Sequence, residues 1–483
     1  MTLLACGLGM LLIYGVAMAR FPLLRTYKTQ ILTLEQQAAG DPRLGPLLAL
    51  ACGLLFLLYA GGYAALRGLD RIPRPLIALV ALLPLLGAAM LLLTHPTSSL
   101  DLYDYLYRGH VAARYGANNF IQSPEDFRAI DRLYWYTAWR RATTAYGPLW
   151  EALSIVVAQL AGTKLLGLAL GFKLTSALGW LLCGAAICWA GQPGQRLLGL
   201  YLWLWNPLVL WELVGAGHND GWMLLCGVLA FGMLRRRPTM ALLLITLGAL
   251  FKYPLALLWP LLLLAALAGT PTWQARLALL LRAGLLCAML GILAYLPWWA
   301  GPAMLDQLRD RVELFANSPL ALLRAIWLPT STKDVLDPQL ILAGLGALAL
   351  GLLVAAWRSW RSPQQIVPTS VGLLAWFLIA GSAWFQPWYL SWLVGLLALC
   401  PALLRGHATL GAYSLGALLL YPAASALRPL LGWPGNGVAW QALVLLLIYL
   451  PPLIVGVAWR RRPAAALATT APPHLSYAQE ALP

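Results

Sequence analysis

Long apolar runs, separated by short polar or basic stretches, recur along almost the whole chain. They fall near 2–19, 47–66, 75–94, 170–190, 196–214, 219–234, 239–251, 253–269, 277–299, 338–357, 367–385, 388–404, 408–427 and 438–459. A membrane-spanning helix needs about 20 apolar residues. These runs are continuous and do not alternate at period two, so they predict helices, not barrel strands. The two runs flanking Lys252 are short and read as one broken helix. The fold expected is therefore an all-α polytopic membrane protein of about 13–14 transmembrane helices by this length criterion. Residues 2–19 lack a basic leading region and continue into Arg20 without a small-residue cleavage site, so they are read as a retained first helix.

The pattern breaks most clearly at 97–147, a long polar interval. Within it, Ser123-Pro124-Glu125-Asp126 has the form of a helix start, with a capping hydroxyl, a proline in the first turn and an acid at the third position. Phe127, Ile130, Tyr134 and Ala138 follow at helical spacing, beside Trp135, Tyr136 and Trp139. Such a segment predicts an amphipathic helix on the membrane surface. The expected organisation is one transmembrane domain over 1–459, holding an outward loop at 97–147 and a re-entrant or interfacial helix at 148–163. An Ala/Pro-rich, disordered cytoplasmic tail at 460–483 completes it. No internal repeat is visible, which counts against a transporter built on inverted halves.

Composition agrees with the pattern. Of 483 residues, 61% are hydrophobic and 10% charged, against roughly 25% charged in soluble domains. The net charge of +16 gathers at helix ends, and basic residues favour the cytoplasmic side. Placing Arg67–Arg74, Gln192–Arg196, Arg235–Arg237, Arg358–Arg361, Arg405 and Arg460–Arg462 there turns 95–147, His218–Asp220, Lys252, 301–335 and Gln386 outward, provided 148–163 does not cross. Arg20, Arg25 and Lys28 run against this arrangement. The basic patches lie among lipid-embedded segments and do not imply a nucleic-acid partner. The seven cysteines have no metal-ligand spacing and are read as packing residues.

Four polar features would converge on that outward side. They are Asp101-Leu102-Tyr103-Asp104-Tyr105; Tyr146-Gly147-Pro148-Leu149-Trp150-Glu151; Asn206-Pro207 through Glu212 to His218-Asn219-Asp220; and Phe251-Lys252-Tyr253-Pro254 with Trp384-Phe385-Gln386-Pro387-Trp388-Tyr389. Ionisable residues at membrane depth are costly and mark functional sites. Between 367 and 404 there is no charged residue, so Gln386 stands out within its aromatic cluster.

In order and placement these motifs resemble the GT-C superfamily of integral-membrane glycosyltransferases, and within it the bacterial polyprenyl-phosphate-mannose-dependent α-mannosyltransferases. The similarity runs over residues ~95–395 as an ordered set. Asn118-Asn119-Phe120 departs from the Asn-Pro-Tyr expected there. The resemblance implies a GT-C-like bundle in a bacterial plasma membrane with its site on the extracytoplasmic face. It also implies transfer of a sugar, mannose by analogy, from a polyprenyl phosphate to a hydroxyl of an envelope glycolipid or glycan, with inversion. No cofactor and no metal are expected, the lipid-phosphate sugar being a co-substrate. The alternative is a lipid-linked oligosaccharide transporter.

An acceptor hydroxyl needs a carboxylate to take its proton; Asp101 is the first candidate and Asp104 the second. The departing phosphate needs a preplaced cation or donor; Lys252, His218 and Arg108 are candidates. Lys252 has alternatives in snorkelling or pairing with Glu212, His218 in a purely structural role, and Arg108 in a loop salt bridge. Asn219 and Asp220 are candidates for sugar hydroxyls, and Asp220 equally for capping the helix that follows. Glu212, seven residues before Asn219, would share a helix face with it. Tyr103, Tyr146, Gln386 and Trp388 complete the candidate sugar or acceptor contacts.

Overall fold

The computed structural model describes residues 1–28, 34, 41–69, 73–305 and 314–460. Among these there are helices and turns but no β-strand; the sole β-type contacts are the isolated bridges Pro22–Thr94 and Ala316–Trp384. Most of the disordered tail expected at 460–483 lies outside the described residues.

Nine helices among the described residues are long and apolar enough to cross a membrane, the longest being Lys333–Arg361, and a bent pair makes ten. This is fewer than the 13–14 expected. Asp220–Met233, Pro238–Phe251, Tyr253–Ala268 and Pro387–Leu397 are apolar but short, because polar site segments interrupt the runs. The Trp273–Trp298 span is 17% buried within the protein, with Leu285, Ile292 and Leu293 exposed, as a lipid-facing helix requires. The protein is an all-α integral membrane protein.

The breaks place the site. Arg196–Leu204 and Pro207–Gly215 meet at a 50° bend. Pro207 has no N–H to continue the helix, and the Asn206 side chain restarts it by accepting from the N–H groups of Leu208 and Val209 at 3.0 and 3.2 Å. The next turn, Leu210–Gly215, is π-helical. At Gly217 the chain adopts φ 82°, and a Cβ there would lie 2.9 Å from Leu102. Only glycine suits both the left-handed backbone and the approach to the loop helix. Irregular backbone of this kind is tolerated at membrane depth where protein encloses it.

The 97–147 segment differs from its expected form. Its main element is a helix at Asp101–Tyr115. Residues 123–138 make two separate 3-10 turns, Pro124–Phe127 and Arg132–Tyr136, in place of one amphipathic helix. Asp131 causes the interruption. Its carboxylate accepts from the Leu133 N–H at 2.8 Å and holds His110, on the loop helix, at 2.8 Å. The capping box is present, with Asp126 accepting from the Ser123 N–H at 2.7 Å. The segment expected at 148–163 is a helix at Pro148–Ala161, 14 residues long and short of a span. Gly147 before it presses so close to Leu250 that a Cβ would sit 2.0 Å from that carbonyl oxygen.

Helix direction separates charge from chemistry. Arg74–Leu92 starts on arginine and leads to Asp101. Asp220–Met233 runs from the site toward Arg235–Arg237, and Pro238–Phe251 returns from there to Lys252.

Candidate active site

A cavity of about 680 Å³ lies between the loop and the helices. Its polar lining includes Thr97, Ser98, Asp101, Asp104 and Lys252. An apolar wall is formed by Leu257, Ile341, Leu345, Leu348 and Phe377.

Asp101 and Asp104 both occupy the first turn of the loop helix, where unpaired N–H groups favour negative charge. Their environments then diverge. Asp104 is buried, accepting from Arg108 Nε at 2.8 Å and from the Thr137 hydroxyl at 3.2 Å. Arg108 is 1% exposed and also donates to the Ala142 carbonyl at 2.7 Å. Asp104 and Arg108 thus clamp the loop to its own helix. Asp104 lines the cavity too, but its carboxylate is paired with Arg108, as the loop salt bridge considered for that arginine would have it. Asp101 keeps 14% of its side chain exposed on the cavity. It accepts from Trp139 Nε1 at 3.2 Å, with the Tyr146 hydroxyl at 3.5 Å.

Behind Asp101 lies His218, fully buried. Its Nδ1 is 3.8 Å from an Asp101 oxygen and its Nε2 is 3.4 Å from Glu212. The ring stacks on Trp388 with centroids 3.9 Å apart. The Ser98 hydroxyl donates to the same Glu212 oxygen at 3.0 Å. His218 therefore stands between two carboxylates. The shared helix face expected for Glu212 and Asn219 is lost at the π-turn and Gly217, and Glu212 meets His218 instead.

Lys252 lines the cavity and holds both oxygens of Asp220 at 2.9 Å. Its ammonium lies 5.5 to 5.9 Å from the ring centroids of Tyr146, Tyr389 and Trp392. Its partner is Asp220, not Glu212. Asp220 is fully buried and also accepts from Trp392 Nε1 at 2.5 Å. It does not cap its helix, where Asn219 takes the cap position. Asn219 is likewise buried and off the cavity lining. Tyr146, Gln386 and Trp388 do line the cavity. Tyr103 does not; it is buried between the rings of His95 and Tyr136.

Several residues escaped the sequence reading. Lys173, inside the Leu165–Ala190 helix, donates to the carbonyls of Leu91, Thr94 and Gly215 at 2.9, 2.5 and 2.6 Å. Ser176, one turn on, donates to the Gly217 carbonyl at 2.7 Å. One helix thereby fixes the segments leading to Asp101 and to His218. Lys173 was visible as the one charged residue in that apolar run. Glu151 accepts from the Asn119 amide at 2.7 Å and the Thr144 hydroxyl at 2.5 Å, tying loop to helix. Trp392 carried no signal within an aromatic-rich stretch. Among the described residues, no group of three or more His, Cys, Asp or Glu is placed to hold a metal ion.

These features define an integral membrane protein with a carboxylate and a paired cation facing one part-polar, part-apolar cavity. The chain belongs to the family described as "Alpha-(1->6)-mannopyranosyltransferase, N-terminal domain", whose model matches residues 5–268 and so takes in Asp101, Glu212, His218, Asp220 and Lys252. It is similar to alpha-(1->6)-mannopyranosyltransferase B of Corynebacterium glutamicum, at 26% identity over 150 residues, 30% of this chain and 24% of that protein. It is also similar to alpha-(1->6)-mannopyranosyltransferase A of the same organism, at 27% identity over 168 residues, 34% of this chain and 32% of that protein. The chain thus spans about a quarter to a third of the length of these curated relatives.

Proposed function

We propose that the protein transfers a mannosyl group from a polyprenyl-phosphate donor to a hydroxyl of an envelope glycolipid or glycan, with inversion. Asp101 carries the proposal: of the two acids that line the cavity it is the one not paired with an arginine, whereas Asp104 is held by Arg108. The acceptor oxygen attacks the anomeric carbon. The bond from that carbon to the phosphate oxygen breaks with its electron pair passing to the phosphate, and the acceptor proton passes to Asp101. A sugar phosphodiester carries one negative charge, and Lys252 supplies one ammonium whose third N–H is not used by Asp220. The apolar wall suits the prenyl chain. His218, backed by Glu212 and Ser98, holds Asp101 in position.

The donor carries no diphosphate, so the reading requires no metal. Family membership supports mannose as the sugar. The separation of arginine-bearing helix ends from the cavity supports a site on the extracytoplasmic face of a bacterial plasma membrane, since basic residues are retained inside.

The test is turnover by the purified chain in lipid, given polyprenyl-phosphate mannose and a membrane glycolipid extract. Wild type should release polyprenyl phosphate and yield a mannosylated product. Asp101→Asn should stay folded and lose about 10²- to 10⁴-fold in kcat, the usual worth of a general base. Wild-type turnover in Asp101→Asn would remove Asp101 from the mechanism. Vectorial movement of an unaltered lipid-linked sugar would replace transfer with transport.

A further inference from the structure

A second pocket, of about 600 Å³, opens on the loop beside the cavity. Ala138 and Trp139 border both spaces. Three arginines, Arg128, Arg140 and Arg141, line it against one carboxylate, Glu125. That carboxylate is already engaged. It accepts from the Tyr134 hydroxyl and, at 3.1 Å, from Arg128; these two bonds, the tyrosine first, hold its pKa below the usual range.

Two of the arginines are also held together. Arg128 and Arg140 each lie 5.1 to 5.9 Å from the ring centroids of both Tyr134 and Trp135. Arg140 is fixed further by its bonds to the Thr137 and Trp135 carbonyls at 3.1 and 3.2 Å. Like charges gathered on one aromatic platform repel unless an anion joins them, and planar guanidinium groups match the oxygens of a phosphate. Trp135, in the pocket lining, is 57% exposed, and Ile130, two residues along the chain from Arg128, is 62% exposed. Large apolar side chains next to arginines form a surface that seats in the headgroup layer, with the cations on lipid phosphates.

We propose that this pocket is a binding site for the phosphate of an anionic bilayer phospholipid, with Trp135 and Ile130 against the upper acyl region. The site is separate from the cavity and does not depend on the transfer reaction. It uses arginines other than the buried Arg108.

The test titrates the full chain in neutral detergent with dihexanoyl phosphatidylglycerol, dihexanoyl phosphatidylcholine and inorganic phosphate, following binding by calorimetry. Arg128→Gln/Arg141→Gln is the main variant because it leaves the carbonyl bonds of Arg140 intact. Phosphatidylglycerol should bind wild type more tightly than phosphatidylcholine, and the double variant should weaken it about tenfold or more, two arginines being removed. Excess inorganic phosphate that displaces the lipid would trace recognition to the phosphate alone; failure to displace it would show that the acyl contacts contribute. Glu125→Gln should tighten phosphatidylglycerol binding by removing the competing carboxylate, and this readout stands even if the double variant fails to fold. Equal phosphatidylglycerol affinity in wild type and the folded double variant, or no lipid binding to wild type, would overturn the proposal.

Discussion

Replacing Lys173 with methionine should damage stability and chemistry together, although Lys173 does not line the cavity. Methionine keeps nearly the same length and removes the ammonium. Three buried carbonyls, those of Leu91, Thr94 and Gly215, then lose their donor. A buried polar group left unsatisfied costs about 1–3 kcal/mol. Hydrogen bonds between helices in membranes are worth less, about 0.6 kcal/mol on average and 1.7 at most. Three such losses at the membrane value come to about 2–5 kcal/mol, and the burial cost that a lysine charge itself carries works against them. The same change frees the Thr94 segment before Asp101 and the Gly215 segment before His218. A misplacement of about 1 Å at reacting groups can cost about 100-fold in rate. The assay is thermal unfolding of the detergent-solubilised chain, followed by transfer kinetics at a temperature where the variant is folded. Lys173→Arg provides a charged control. The expected pattern is a lowered midpoint and lowered kcat with donor KM little changed. A Lys173→Met variant with wild-type midpoint and wild-type kcat would refute the idea that this lysine organises the site.

Three other outcomes are expected. Lys252→Ala should raise donor KM more than acceptor KM, while Asp220→Asn, which leaves the ammonium without its bidentate partner, should destabilise the fold; equal effects of Lys252→Ala on both substrates would make the lysine structural. Glu212→Gln should lower kcat about tenfold or more and shift the pH profile of kcat/KM, since it removes the charge behind His218; an unchanged profile would leave Glu212 as packing alone. His95, just beyond the Arg74–Leu92 span, has its pKa lowered from 6.5 to about 4 by burial, with Lys173 contributing. A histidine kept neutral in the folded state contributes stability that is complete above pH 6.5 and lost as the pH falls toward 4, at most about 3 kcal/mol; His95→Gln should flatten unfolding curves over that window, and a slope identical to wild type would exclude His95 as its source.

Much of this architecture is legible in the sequence because a bilayer admits few solutions. Long continuous apolar runs must become helices, and each expected run has a helical counterpart. The count was harder to read. Length marks a span, and the short helices beside Asp220, Lys252 and Gln386 fall below that length where site residues interrupt them. The loop went astray for a local reason. Phe127, Ile130 and Tyr134 have helical spacing, but Asp131 bonds His110 across the loop and ends the turn, and spacing carries no record of such a partner. The convergence of Asp101, His218 and Lys252 followed from placing their segments on one side. Their pairing did not follow: whether Lys252 meets Glu212 or Asp220 depends on a π-turn and a left-handed glycine that a uniform helix phase does not contain.

The two acids of the loop helix show how position divides their roles. Asp101 and Asp104 are three residues apart on one helix and share its N-terminal field, so neither residue type nor helix position separates them. Their partners do. Arg108, one turn beyond Asp104, neutralises it and binds the Ala142 carbonyl, so that removing the Asp104 carboxylate would leave a buried guanidinium without its counterion. Among the described residues no arginine pairs with Asp101. Its nearest basic group is His218, itself shared with Glu212, so the row of three holds two carboxylates around one imidazole. Both acids line the cavity, and Asp104 is the one with a fixed cation. The same distinction separates Lys252 from Lys173. Both are buried lysines, but Lys173 spends all three hydrogens on carbonyls, whereas Lys252 spends two on Asp220 and faces the cavity with the third. In each pair the fully satisfied member holds the framework, and the partly satisfied member is the one we propose meets the substrate.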